Sequence, residues 1–183
     1  MVTFSNVNIL QKTRMKEVTV SDKKLQEAAA EGMDAFVGVF VDAINNAIGN
    51  EITTDTMSQL NSHQITLLAW NVLHEEVMDG GYIQLIHNGY GGFIFRNPFA
   101  AAVKEWGLVD LCRHIRKAGK LFNTYHTEIE ADYSDDEFMA LFERYPQFDD
   151  FDDDFVENEE LWTGQIAHYI DEHIDQFAKV VKP

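Results

Sequence analysis

The stretch from Tyr145 to Glu160 reads YPQFDDFDDDFVENEE, with carboxylates at Asp149, Asp150, Asp152, Asp153, Asp154, Glu157, Glu159 and Glu160 and no basic residue among them. Carboxylates at this density could ligate a hard cation, work with a histidine in hydrolysis, or present a negative field to a cationic partner. Asp150, Asp152 and Asp154 have the one-three-five spacing of an EF-hand loop. Phe155 stands where that loop needs glycine, however, and Leu161 where it needs a bidentate glutamate. The run is therefore assigned no metal and no cofactor, a weak surface cation site being the most it suggests.

The negative charge of the chain is concentrated in one region. Residues 1–127 hold 13 acidic and 11 basic residues, residues 128–160 hold 15 acidic residues against Arg144 alone, and residues 161–183 hold 3 against 2. The balances are −2, −14 and −1, which account for the net −17. On charge density alone, Glu128, Glu130, Asp132, Asp135 and Asp136 join the candidate field. A local excess of this kind points at something positive, and makes nucleic acid and anionic membranes poor partners.

Three phenylalanines, Phe148, Phe151 and Phe155, interrupt the acidic run and continue into Trp162 and Ile166 with helix-like spacing. Burying one Phe is worth about 1.5–3 kcal/mol, whereas a like-charge pair on a helix costs about 0.2–0.5 kcal/mol. The anchors outweigh the repulsion, so the run is expected to be pinned to a core with its carboxylates in a fixed arrangement. Such a surface has four readings: a solvated face; a weak cation site; an internal partner for the basic stripe Arg113, Arg116, Lys117 and Lys120; or a decoy for a nucleic-acid-binding protein. Carboxylates three or four positions apart lie about 5–6 Å from one another. That approaches the spacing of phosphates along a strand, and B-DNA carries about one negative charge per 1.7 Å of axis.

The rest of the chain reads as the frame for this surface. Hydrophobic residues make up 45% of the 183, enough for a real core. The fold class is all-α, a single compact multi-helix domain of about seven helices with an acidic C-terminal third, covering 21–183 behind a loosely ordered arm, 1–20. Ser21 opens a helical stripe from Leu25 to Ile48, closed by Gly49. Ser62 opens a second, stopped by Gly80. A short helical turn follows at 82–87, then an Asn88-Gly89 break and an extended piece around Phe93–Phe95. Asn97 is read as the cap of a helix with Pro98 in its first turn. Another helix carries Leu108 to Phe122, and "SDDE" at 134–137 is a capping box. Pro146 breaks that helix, and the last runs from about Asn158 to Ala178.

Other chemistry finds little support. Gly89, Gly91 and Gly92 do not complete a phosphate-binding G-x-G-x-x-G, because position 94 is Ile. The histidines are scattered: His168 and His173 are five apart, His74 lacks a second histidine at metal-protease spacing, and His87 beside Asn88 reads as a packing or turn residue. No G-x-S-x-G elbow presents a nucleophile. Cys112, the lone cysteine, sits on an apolar stripe and is expected to be buried and inert. With no such catalytic motif the chain is expected not to be an enzyme, and without signal-peptide features at its start or a second cysteine it is expected to be cytoplasmic.

Two stretches together, GGYIQLIHNGYGGFIFRNPFAAAVKEWGL (80–108) and DEFMALFERYPQFDDFDDDF (136–155), resemble the bacterial DNA-mimic protein family, long catalogued as a domain of unknown function. The resemblance spans roughly 21–178. It implies an all-helical, non-enzymatic homodimer whose acidic surface imitates duplex DNA and engages a helix-turn-helix transcription factor, relieving repression without touching DNA. Only the run Asp149–Glu160 carries over residue by residue. The expected partner is thus a basic DNA-binding protein. The alternatives are an immunity-type inhibitor of a basic nuclease, a divalent-metal hydrolase pairing the carboxylates with His168 or His173, and an acidic domain with no mimic role.

Overall fold

The computed structural model describes residues 14–182. The regular structure of the described residues is helical apart from two three-residue strands. In order it forms β1 (Thr19–Ser21), α1 (Asp22–Glu31), α2 (Met33–Ala47), α3 (Thr54–Met57), α4 (Ser62–His87), α5 (Gly91–Phe95), α6 (Phe99–Glu105), α7 (Val109–Ile129), α8 (Asp135–Arg144), a 3-10 turn at Pro146–Phe148, α9 (Asp149–Glu172), α10 (Ile174–Phe177) and β2 (Lys179–Val181). The long helices α4, α7 and α9 pack on one another, and α2 packs on α4 and α9, around one continuous apolar core.

Several boundaries depart from the sequence expectation. The arm ends before residue 20, because β1 pairs in parallel with β2 and buries Val18 and Val20; its first thirteen residues lie outside the described part. The stripe from Leu25 to Ile48 is two helices, divided at Gly32, whose φ of 148° breaks the helical backbone. The segment around Phe93–Phe95 is helical and not extended. Ile94 is fully buried and Phe95 stacks on Phe122 at 5.0 Å, so tertiary packing decides a five-residue segment that propensity leaves open. Asn97 does not cap α6: its side chain turns back to donate to the Phe93 carbonyl at 3.0 Å, and Pro98 takes the cap position.

Two local predictions match. Ser134 accepts from the Glu137 N–H and Glu137 reaches back to the Ser134 N–H at 2.9 Å, a complete capping box. Gly80 does interrupt its helix, since Gly80 and Gly81 have non-helical backbone and kink α4 before the buried turn of Tyr82, Ile83, Leu85 and Ile86.

Candidate functional site: the acidic helix

The last long helix begins at Asp149, nine positions before the expected start near Asn158, so the acidic run is its N-terminal half. The 3-10 turn from Pro146 delivers Phe148 into the core and lets Asp149, Asp150 and Asp152 occupy the first turn, where the helix dipole favours negative charge. Phe148 and Phe155 are fully buried and Phe151 is half-buried. Phe155 is the hub, packing against Trp70 of α4 at 5.9 Å, Tyr82 at 6.4 Å, His114 of α7 at 6.0 Å and Trp162 at 5.4 Å. The anchoring expected from the phenylalanine spacing is present.

That anchoring sorts the eight carboxylates of the acidic run, Asp149 to Glu160, into two kinds. Asp152 and Glu159 flank the phenylalanine face. Asp152 accepts the Tyr82 N–H at 2.8 Å, satisfying a backbone donor that the α4 kink would otherwise orphan. Gly81 has a φ of 72°, and a Cβ there would collide with the Asp152 carboxylate, so glycine is required on both counts. Burial pushes the Asp152 carboxyl up to about 6, with the Tyr82 N–H opposing and Asp149 and Asp153 adding to the rise. Glu159 bonds His74 Nε2 at 2.9 Å.

Asp154 is exposed but tied. It accepts from His114 Nδ1 at 2.6 Å, while His114 Nε2 accepts from the Tyr82 hydroxyl at 2.8 Å. Burial lowers the His114 pKa, with the Asp154 bond opposing, and the neutral ring suits this relay. His114 and Tyr82 are therefore core pieces that lock α4, α7 and α9 together. The sequence reading missed both. The only available signals were a histidine beside an apolar stripe and a glycine pair followed by tyrosine.

Asp149, Asp150, Asp153, Glu157 and Glu160 remain exposed, and no hydrogen bond or ion pair from their side chains occurs among the described residues. At 100° per residue they share the side of α9 opposite Phe148 and Phe155, and from Asp149 to Glu160 they extend about 16 Å along the axis. A row of negative charge on a core-locked helix suits a cationic partner with a groove of that length.

The second acidic group lies elsewhere. Glu128, Glu130, Asp132, Asp135 and Asp136 are exposed around the α7–α8 turn. Glu128 accepts from the Tyr145 hydroxyl, Glu130 pairs with His126 at 3.2 Å, and Asp135 and Asp136 occupy the first turn of α8. Among the described residues no hydrogen bond or ion pair joins Glu130, Asp132, Asp135 or Asp136 to α9.

The basic stripe does not neutralise the run. Arg113 pairs with Asp110 of its own helix at 2.8 Å, although Arg113 and Lys117 line one cleft with Asp150 and Asp154. His168 pairs with Glu172 at 3.6 Å and His173 bonds the Tyr169 carbonyl at 2.8 Å, so both are engaged at the far end of α9. His168 lies about 21 Å along the helix from Asp154 at 1.5 Å per residue. Among the described residues no group of three or more His, Cys, Asp or Glu side chains could hold a metal ion, and no helix is long and apolar enough to cross a membrane. Cys112 is buried.

Comparison with known proteins covers the same ground. A family model described as DMP19-like protein matches residues 58–173, narrower than the span of about 21–178 suggested by resemblance but containing every candidate carboxylate. The chain is 32% identical over 128 residues to the DNA mimic protein DMP19 of Neisseria meningitidis serogroup B (strain ATCC BAA-335 / MC58), covering 69% of this chain and 77% of that protein. With its helical core, its acidic α9 and these matches in agreement, the chain belongs to the DMP19-like protein family.

Proposed function

We propose that this chain is a DNA mimic, a non-enzymatic protein whose α9 face occupies the DNA-binding surface of a basic protein of the helix-turn-helix transcription-factor type. The observation that carries the reading is the exposed row Asp149, Asp150, Asp153, Glu157 and Glu160, unpaired among the described residues, on a helix fixed by Phe148 and Phe155. A decoy has to hold its charges where phosphates would be, and ordering them beforehand lowers the entropy cost of binding. A solvated face would need no such anchoring. Family membership and the name of the meningococcal relative support the same reading.

The test is retention of DNA-binding proteins from host lysate at graded salt, with double-stranded DNA as competitor. The control changes Asp149, Asp150 and Asp153 to Asn and Glu157 and Glu160 to Gln, leaving the fold-bearing Asp152, Asp154 and Glu159 in place. A basic transcription factor held by wild type, released by DNA and lost by the control is the expected result. Equal retention by the control would remove α9 as the mimic face. Retention of a nuclease whose activity falls on binding would replace the transcription factor with an inhibitor's target.

A further inference from the structure

The basic stripe of α7, which the proposed function leaves unused, forms one wall of a cleft against α6. Lys104 of α6 and Arg113, Arg116, Lys117 and Lys120 of α7 line this cleft, whose volume is about 370 Å³. They are five of the fourteen Lys and Arg residues in a chain of net charge −17. No carboxylate among the described residues lines it. The four α7 cations fall within about 100° of one helix face at 100° per residue. Gly107, at a φ of 93°, turns the chain between the two helices, and Lys104 comes back to the same side as the stripe. All five residues are exposed. Among the described residues Arg113 pairs with Asp110, and Lys104, Arg116, Lys117 and Lys120 form no ion pair.

Like charges three or four positions apart on a helix repel one another. The stripe holds four such pairs, Arg113–Arg116, Arg113–Lys117, Arg116–Lys120 and Lys117–Lys120. An anion in the cleft would offset that repulsion, and the lining says which kind. Arginine forks supply paired N–H donors and lysines supply compact positive charges, a combination that suits phosphate oxygens. A single negative charge would leave most of the five cations unanswered, so the anion carries at least two. The other lining residues, Val109 and Cys112, offer no aromatic face for a base and no carboxylate for a sugar hydroxyl. Arg113 and Lys117 also border the cleft that holds Asp150 and Asp154, whereas Lys104, Arg116 and Lys120 do not. An extended nucleic-acid strand following α7 would enter the field of those aspartates, and a compact anion would not.

We infer that the α6–α7 cleft is a binding site for a compact phosphate anion of the diphosphate class, recognised through its phosphates alone. Lys104, Arg116 and Lys120 are the residues that commit to it, with Arg113 and Lys117 closing the side toward α9. The site uses none of the outward carboxylates of α9 and does not depend on the mimic role.

Calorimetric titration of the full chain with inorganic diphosphate tests it, at a constant ionic strength of about 0.1 M, where exposed charges are screened beyond about 10 Å. One-site saturation is expected, with backbone amide shifts in NMR spectra centred on the segment from Lys104 to Lys120. A variant carrying Lys104→Gln, Arg116→Gln and Lys120→Gln should bind at least about tenfold more weakly. A control carrying Lys23→Gln, Lys24→Gln and Lys179→Gln, which removes as many cations elsewhere, should bind like wild type. No saturable binding, equal losses in the two variants, or shifts centred away from the cleft would overturn the inference. A nucleoside diphosphate should bind no more tightly than inorganic diphosphate, and clearly tighter binding would overturn recognition through the phosphates alone. Hexaglutamate held in the same cleft more tightly than diphosphate would also overturn it, in favour of an acidic peptide. If the triple variant fails to fold by circular dichroism, Arg116→Gln alone decides: weaker diphosphate binding supports the site, and unchanged binding refutes it.

Discussion

The two acidic regions of this protein carry similar charge and use it differently. Around the α7–α8 turn the carboxylates are spent locally: Glu137 closes a capping box, Asp135 and Asp136 sit on the N-terminus of α8, Glu128 holds Tyr145 and Glu130 holds His126. On α9 the carboxylates that serve the fold, Asp152, Asp154 and Glu159, lie apart from those that face outward with no partner among the described residues. Density of negative charge thus does not by itself separate carboxylates engaged in the fold from those left exposed on a rigid core element.

The comparison can be broken hardest at the anchor. Phe155→Ala should cost about 3–5 kcal/mol, since it empties the centre of a five-ring cluster. Chemical denaturation measures this, and a loss under 1 kcal/mol would mean that α9 is held by something else.

Asp152 gives the next largest effect. Its folded carboxyl titrates at about 6 against an ordinary value of 3.8, so folding takes up a proton between those values. The stability contributed by protonated Asp152 is present below about pH 4 and is lost as pH rises through about 6, on the order of 2–3 kcal/mol in all. Asp152→Asn, which still accepts the Tyr82 N–H, should remove this slope and be at least as stable as wild type at pH 7. Denaturation curves of both proteins from pH 4 to 7 would reveal it, and parallel slopes would refute it.

Neutralising the five outward carboxylates should weaken partner binding at least tenfold, or about 1.4 kcal/mol. Changing Glu130 to Gln and Asp132 and Asp136 to Asn should leave binding within about 0.5 kcal/mol. Titration against the captured partner at one salt concentration compares the two sets, and equal losses would erase the distinction drawn between the regions. At the turn itself, Ser134→Ala should cost about 1 kcal/mol of stability through the lost cap and leave binding unchanged.

Much of the frame was legible because its signals are local. S-x-x-E fixes Ser134 and Glu137, Gly80 interrupts a helix wherever it falls, and apolar periodicity marks α7. Gly32 escaped because the apolar residues on either side keep helical spacing across it. The strands escaped because three residues carry too little pattern, and their pairing joins segments far apart in the chain. At the site, the candidate carboxylates of α9 were found, but their division was not drawn. Part of it was within reach: Asp152 is four positions after Phe148 and three before Phe155, so it shares their side of the helix. The His114–Asp154 bond was not, because no local rule places α7 against α9.

The pairing of β1 with β2 has a kinetic meaning. Thr19 meets Lys179, so these hydrogen bonds close a loop of about 160 residues, and the entropy of that closure is recovered only after the helices between have assembled. The strands should therefore lock last in folding and open first under native conditions. The amide hydrogen of Lys179, which donates to the Val18 carbonyl at 2.9 Å, should then exchange through local opening, well ahead of those around Phe155, whose release requires the whole core to come apart.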